Sequence, residues 1–272
     1  MPADLDALVA AVLESPKYRQ VSPEVIRRIG AHELAIRPNL KAAIKETKNA
    51  LYQAAGAFME RPIDYRRALD ALAAAWEAGG RDASAPPFRD ACRGVMALHT
   101  STRERLPILD AFYASTLSGL EGVRSVLDVA CGLNPLARPW MPLGPDVTYT
   151  ACDIYLDQVA FLNDFLQLLG VPGQATVRDV ISAPPIEPVD LALVLKTLPC
   201  LETADRQAPD RLLDSLNARL MLVSFPAQSL GGRRKGQSAH YEARFLERVQ
   251  ARGWLAERFE FQTELAFLVR KE

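Results

Sequence analysis

The sequence predicts an α/β protein: a doubly wound, mostly parallel sheet with helices on both faces, an antiparallel hairpin at its C-terminal edge, and a helical extension before it. Three observations carry this reading. Through the first 120 residues, apolar side chains recur at helical three- and four-residue spacing. From Ser125 onward, short apolar runs alternate with helical segments, the pattern of a parallel sheet with crossover helices. The last two runs are joined by a link near Gln262–Thr263, too short to hold a crossover helix, so they pair antiparallel.

The elements follow in order. Helices are expected over 3–14, 22–35, 38–58, 64–78 and 86–98, separated by Pro or Gly. In the third, Leu40, Ile44, Thr47, Leu51, Ala55 and Phe58 form a core-facing stripe, and Lys41, Lys45, Lys48 and Tyr52 form a basic one beside it. Ser101 and Glu104 have the spacing of a capping box, and Pro107 then interrupts the backbone ladder before a helix over 107–119. Strands are expected at 125–130 (SVLDVA), 147–153 (VTYTACD), 174–179 (QATVRD), 189–196 (VDLALVLK) and 219–226 (RLMLVSFP). The hairpin strands WLAERFEF and TELAFLVRK close the chain. Helices at 157–170, 208–218 and 241–253 lie between these strands. The expected division is a helical unit, 1–106, and a sheet unit, 107–272.

Composition narrows the classes. Of 272 residues, 49% are hydrophobic and 24% charged, which excludes a disordered chain. The formal net charge of −1 excludes a globally basic nucleic-acid coat, though not a local basic patch. Cys92, Cys131, Cys152 and Cys200 include no CxxC pair and share no zinc spacing with His32, His99 and His240, so no metal is expected. The thiols read as reduced. The N-terminus lacks the basic segment of a signal peptide, and no apolar run reaches the ~20 residues that span a bilayer. A soluble, cytoplasmic protein is expected.

In a doubly wound sheet, ligands bind beyond the carboxyl ends of the strands. After the first strand comes Ala130-Cys131-Gly132-Leu133-Asn134-Pro135, whose small residues admit close approach. It is not a GxGxxG turn, so dinucleotide binding is disfavoured. Asp153 ends the second strand at the spacing where a carboxylate accepts both hydroxyls of a ribose; its other reading is a helix N-cap. Asp179 ends the third strand, placed to accept from an adenine amino group or to serve as a cap or turn residue. Lys196 ends the fourth, an improbable core filler. Ahead of the sheet, Arg103 or Arg105 is placed to pair with a ligand carboxylate.

Helices first, a doubly wound sheet second and a hairpin last is the layout of class I S-adenosylmethionine-dependent methyltransferases. The segments HTSTRERLPILDAFY, DVACGLNPLARPWM, VLKTLPCLET and SFPAQSLGGRRKG resemble the aminoglycoside-resistance 16S rRNA methyltransferases that modify N7 of guanine-1405 in the 30S decoding site. The resemblance runs from about Lys17 to the C-terminus. It implies S-adenosylmethionine as cofactor and 16S rRNA within the 30S subunit as partner. It implies that Arg105, rather than Arg103, meets the methionine carboxylate, with His99, Thr100 and Ser101 on the same side. Ala130 and Gly132 would lie under the cofactor, Asp153 at the ribose, Asp179 and Val180 at the adenine, Leu195 across the pocket and Phe58 at its border. Gln228 and Gln237 depart from the family's usual lysine and methionine, in a loop that keeps Arg233, Arg234 and Lys235.

Between Ser15 and Tyr52, eight Lys/Arg stand against three Glu. A solvated helical face is the ordinary meaning of such a run. With the resemblance, Lys17, Arg19, Lys41, Lys45, Lys48, Arg233, Arg234 and Lys235 become the expected rRNA contacts. No general base is expected, because guanine N7 has no proton to lose. Two rival readings stay open: a pyrimidine C5-methyltransferase using Cys200 as nucleophile, and a ribosome-associated cofactor-binding protein without catalysis.

Overall fold

The computed structural model describes residues 2–37, 39–53, 58–59, 61–227 and 236–271. Ala55, Gln228, Arg233, Arg234 and Lys235 lie outside these residues, and the side chain of Gln237 is likewise not described.

The extension begins with α1 (Pro2–Leu13), α2 (Pro23–Ile36) and α3 (Leu40–Leu51). Proline opens α2, where a missing N–H costs nothing, and the Asn39 side chain caps α3 by accepting from Ala42 N at 3.1 Å. Of the helix expected over 38–58, Leu40–Leu51 is α-helix, Tyr52 and Gln53 continue it as π-helix, and Phe58 lies in a bend. Of its apolar stripe, Thr47 and Leu51 are buried, joined by Ala43. These three helices share a core containing Leu8, Val12, Ile26 and Leu51, and this core also takes in Tyr155 from the sheet region.

Next come α4 (Tyr65–Ala78), α5 (Pro86–Met96), α6 (Thr100–Arg105) and α7 (Leu109–Thr116), with a short 3-10 turn over Leu106–Ile108 at Pro107. Residue 106, the division expected from sequence, falls at that turn. On its N-terminal side, α4 and α5 pack through Leu72, Phe88 and Met96 into the core of the sheet itself.

The sheet has β1 (Ser125–Val129), β2 (Thr148–Asp153), β3 (Ala175–Val177), β4 (Val189–Leu195), β5 (Ala218–Pro226), β6 (Leu255–Glu260) and β7 (Glu264–Arg270). Its order is β3-β2-β1-β4-β5-β7-β6; β1 to β5 pair in parallel, and β7 pairs antiparallel with both β5 and β6. The expected hairpin is therefore present, with β6 on the edge. The helices between strands are α8 (Leu156–Leu169), α9 (Thr197–Ala204), α10 (Ala208–Ser215) and α11 (Gly236–Ala251). Strand side chains alternate between two cores. Leu191, Leu193, Leu220 and Leu222 face α4, α5, α7 and α8, whereas Ala192, Val194, Met221 and Val223 face α9, α10 and α11. Burial on both faces explains why β4 reads as an unbroken apolar run.

One isolated bridge joins extension and sheet. Val21 pairs with Tyr155; Ser22 N donates to Ile154 O and Leu156 N to Gln20 O, both at 2.8 Å. It fixes the start of α2 against the segment that follows β2. No described helix is long and apolar enough to cross a membrane.

Candidate active site

The strand order departs in opposite directions from β1 and β4, so a crevice opens beyond their carboxyl ends. It is a partly open crevice with a cavity volume of about 120 Å³. Ala130, Gly132, Asp153, Asp179, Val180, Leu195, His99, Ser101 and Phe58 all lie on its walls. Thr100 and Arg105 do not. Tyr155 and, from α2, Val25, Arg28 and Ile29 complete the enclosure.

The β1 turn is shaped by a side chain of the protein. Gly132 has φ +53°, and a Cβ there would stand 2.9 Å from His99 Cε1. The close approach read from the small residues is thus made by an imidazole. His99 is 8% exposed and stacks on Phe58 with ring centroids 5.7 Å apart. Its Nδ1 is buried without a hydrogen-bond partner. Burial, helped by Lys196 and Arg103, pushes its pKa down to about 4, so the ring is neutral.

Asp153 does not cap α8; Tyr155 occupies that position. Its Oδ2 accepts from Gly132 N at 2.8 Å and its Oδ1 from Ile154 N at 2.7 Å. Burial raises its pKa more than these two donors lower it. Asp179 shapes its own turn, accepting from Ile181 N at 3.1 Å, and is also paired with Arg28, whose Nε lies 2.5 Å from Oδ2.

The capping box expected at Ser101 and Glu104 does not form. His99 is the N-cap residue of α6, without a side-chain cap bond. Glu104 turns instead to Lys196 Nζ at 2.8 Å, and Ser101 contributes its carbonyl to the same ammonium at 3.1 Å. The buried ion pair outcompetes a local backbone bond because Lys196 is 5% exposed and needs a counter-charge.

Arg105 is fully buried. Its Nε and Nη2 donate to Glu264, the latter at 2.6 Å, and its Nη1 donates to Asn134 at 2.7 Å. The carboxylate beside Arg105 is thus that of Glu264, and the guanidinium does not line the crevice. Glu264 also accepts from Ser224 Oγ at 2.6 Å and lies 3.5 Å from Lys196 Nζ. The two cations hold its carboxyl below the usual range despite burial. Beyond Asn134, Asp128 accepts from Asn134 Nδ2 and Tyr149 Oη; desolvation pushes its pKa up to about 7. Cys200 donates weakly to Lys196 O, and burial raises its pKa to about 12, outweighing the nearby ammonium.

Sequence reasoning missed Glu264 and Arg28. Glu264 had a signal: a single acid leading the apolar run LAFLV. Arg28 had none, since its partner is 151 residues away.

Lys41 and Lys45 are exposed and Lys48 is half-buried, and none of the three makes an ion pair among the described residues. Lys17 and Arg19 are exposed beside them, with Lys17 Nζ 3.9 Å from the Tyr52 ring centroid. Arg27, Arg28 and Arg37 are neutralised by Asp6, Asp179 and Glu33.

The family described as ribosomal RNA methyltransferase (FmrO) matches residues 14–268. The chain belongs to that family. It is 37% identical to a 16S rRNA (guanine(1405)-N(7))-methyltransferase of Micromonospora echinospora, over 98% of this chain and 97% of the relative. It is 40% identical to one from Frankia casuarinae, over 98% and 94%. Among solved structures, the 16S rRNA methyltransferase RmtF in complex with S-adenosyl-L-homocysteine is similar with a TM-score of 0.82 and 33% identity, covering 100% of both chains. The 16S rRNA methylase RmtB gives 0.78 and 31%, covering 98% of both. The family and the class I methyltransferase fold are thus those expected from the motifs.

Two predictions follow for this FmrO-family site. Glu264→Ala leaves Arg105 buried without its counter-ion and should cost about 3–5 kcal/mol in urea unfolding; a loss under about 1 kcal/mol would contradict the network. The second concerns pH. Lowering pH from about 6.5 to about 4 protonates His99 in the unfolded chain but not in the folded one, so its contribution to stability is lost. Asp128 acts oppositely: its folded pKa is raised, so its contribution is present below the unfolded value and lost as pH rises towards about 7. Each is worth on the order of 3 kcal/mol. Relative to wild type, His99→Gln should make stability fall more with rising pH between about 4.5 and 6.5. Asp128→Asn should make it rise more. Urea midpoints at three pH values decide it; parallel curves would refute both assignments.

Proposed function

We propose that the protein transfers a methyl group from S-adenosylmethionine to N7 of guanine-1405 of 16S rRNA, acting on the assembled 30S subunit. One observation carries the reading: the crevice at the strand ends presents a close-packed glycine turn after β1, a carboxylate at the end of β2 and another after β3. It does so in a chain similar over nearly its whole length to enzymes named for that reaction.

The residues present fit the cofactor. Asp153 is placed for a ribose, Asp179 for an adenine amino group, and the Nδ1 of buried His99, unpartnered among the described residues, for the polar methionyl end; Arg105, held by Glu264 and Asn134, does not line the crevice. When bound, the cofactor supplies an electrophilic sulfonium methyl. Gly132 lets the His99 ring pack against the turn after β1, which sets where that imidazole stands in the crevice wall. Leu195 and Val180 line the apolar walls and exclude water. Guanine N7 carries an in-plane lone pair, so the protein is asked to position the base in line and to remove no proton.

Cys200 is a poor rival nucleophile. With its pKa at about 12 it is a thiol at neutral pH, and the thiolate is the reactive form.

Docking is assigned to α1–α3, where Lys17, Arg19, Lys41, Lys45 and Lys48 supply phosphate contacts. Arg233, Arg234 and Lys235 would add contacts nearer the base. Methylation leaves a fixed positive charge on the guanine. Against a polycationic aminoglycoside a few ångströms away, that costs about 1–4 kcal/mol at effective dielectrics between those of water and a protein surface, so resistance is the expected phenotype.

Incubation with 30S subunits and labelled cofactor, followed by mapping of N7-methylguanine in 16S rRNA, should give modification at position 1405, and Cys200→Ala should retain it. Modification at a pyrimidine, or loss of activity in Cys200→Ala with the fold intact, would favour the C5 reading. Replacing Lys41, Lys45 and Lys48 with Glu should weaken 30S binding at least tenfold while leaving affinity for S-adenosylhomocysteine within twofold; unchanged 30S affinity would remove the docking role.

A further inference from the structure

Asp179 does not stand alone in the crevice. Its carboxylate is 6% exposed and is held from two sides. Ile181 N donates to Oδ1, and Arg28 reaches across from α2, with Nε 2.5 Å from Oδ2 and Nη2 3.4 Å from Oδ1. The guanidinium thus lies along the carboxylate edge, which fixes the plane of the group. A buried carboxylate with a single backbone donor would be free to turn. Arg28 is itself half-buried, and the helix that carries it is fixed at its start by the Val21–Tyr155 bridge and packed into the crevice through Val25 and Ile29. Arg28 is therefore part of a wall rather than a mobile surface charge.

We propose that Arg28 is a positioning residue for purine recognition: it holds the Asp179 carboxylate in one orientation, so that its remaining lone pair accepts from the 6-amino group of the adenine. This rests on the cofactor reading above and extends it. A carboxylate oxygen held in that orientation accepts from an amino group and is mismatched to a 6-oxo group, which has no hydrogen to offer at that position. Arg28 would thereby set the discrimination between adenosyl and inosyl ligands, although it need touch neither. The arrangement also places a determinant of cofactor affinity in the helical extension, whose Val25 and Ile29 line the same crevice.

The test is calorimetric titration with S-adenosylhomocysteine and with its 6-oxo analogue, S-inosylhomocysteine. Wild type, Arg28→Ala and Arg28→Lys are compared, with thermal melts as a folding control. Arg28→Ala should bind the adenosyl ligand roughly tenfold more weakly, a loss of about 1.4 kcal/mol, and the inosyl ligand within twofold of wild type. The preference should shrink accordingly. Arg28→Lys should be intermediate, restoring charge without the two-point hold. Equal weakening of both ligands, or no weakening of either, would overturn the proposal and leave Arg28 a packing residue. Wild type that binds the adenosyl ligand with either result leaves the methyltransferase reading standing; wild type that binds neither ligand removes that reading, and this proposal with it.

Discussion

Arg105 and Glu264 lie 159 residues apart in the chain and are both fully buried. Neither charge survives in that environment alone. Their pairing therefore obliges α6, ahead of the sheet, to meet the start of β7, which is almost the last element made. Ser224 on β5 and Lys196 at the end of β4 join the same carboxylate, and Asn134 carries the connection to Asp128 on β1. One polar cluster thus fixes the carboxyl ends of β1, β4 and β5 relative to the segment bearing His99 and Ser101. The crevice is the space this cluster leaves open.

Backbone strain collects on the same side. Ala130, Gly132 and Lys196 all have positive φ, and two of the three are not glycine. A left-handed conformation at such residues costs on the order of 1 kcal/mol each and persists because the surroundings leave no alternative. At Lys196 the surroundings are the Glu104 and Glu264 carboxylates; at Ala130 they are the turn that brings Gly132 under His99 and aims its N–H at Asp153. Of the three non-glycine residues with positive φ among the described residues, Ala130 and Lys196 line the crevice, and Arg81 lies in the turn between α4 and α5.

The helical extension contributes in two ways. The cores divide so that α4 and α5 pack with the sheet, while α1, α2 and α3 surround a separate core that reaches the sheet region through Tyr155. The outward basic residues of α3 and the segment before α2 point away from that core, and the inward face of α2 closes the crevice. Of the cations counted there from sequence, Arg28 is spent inside the molecule, on Asp179. A charge tally along a segment does not distinguish these uses, because it records sign and not direction.

The sequence by itself determined what depends on local pattern. The alternation of apolar runs and helical stripes gave the strand order its elements, the short link before Glu264 required the hairpin, and the position of Gly132, Asp153, Asp179 and Leu195 at strand ends placed them at the crevice, since strand ends in a parallel sheet converge by construction. Local pattern erred where a distant charge intervened: Glu104 serves Lys196 rather than a capping box. Only the tertiary structure decided which partners the buried charges take. Arg105 with Glu264 and Arg28 with Asp179 are contacts across 159 and 151 residues. No spacing rule reaches that far, because the energy that selects them is desolvation, and desolvation exists only once the chain has closed around the pair.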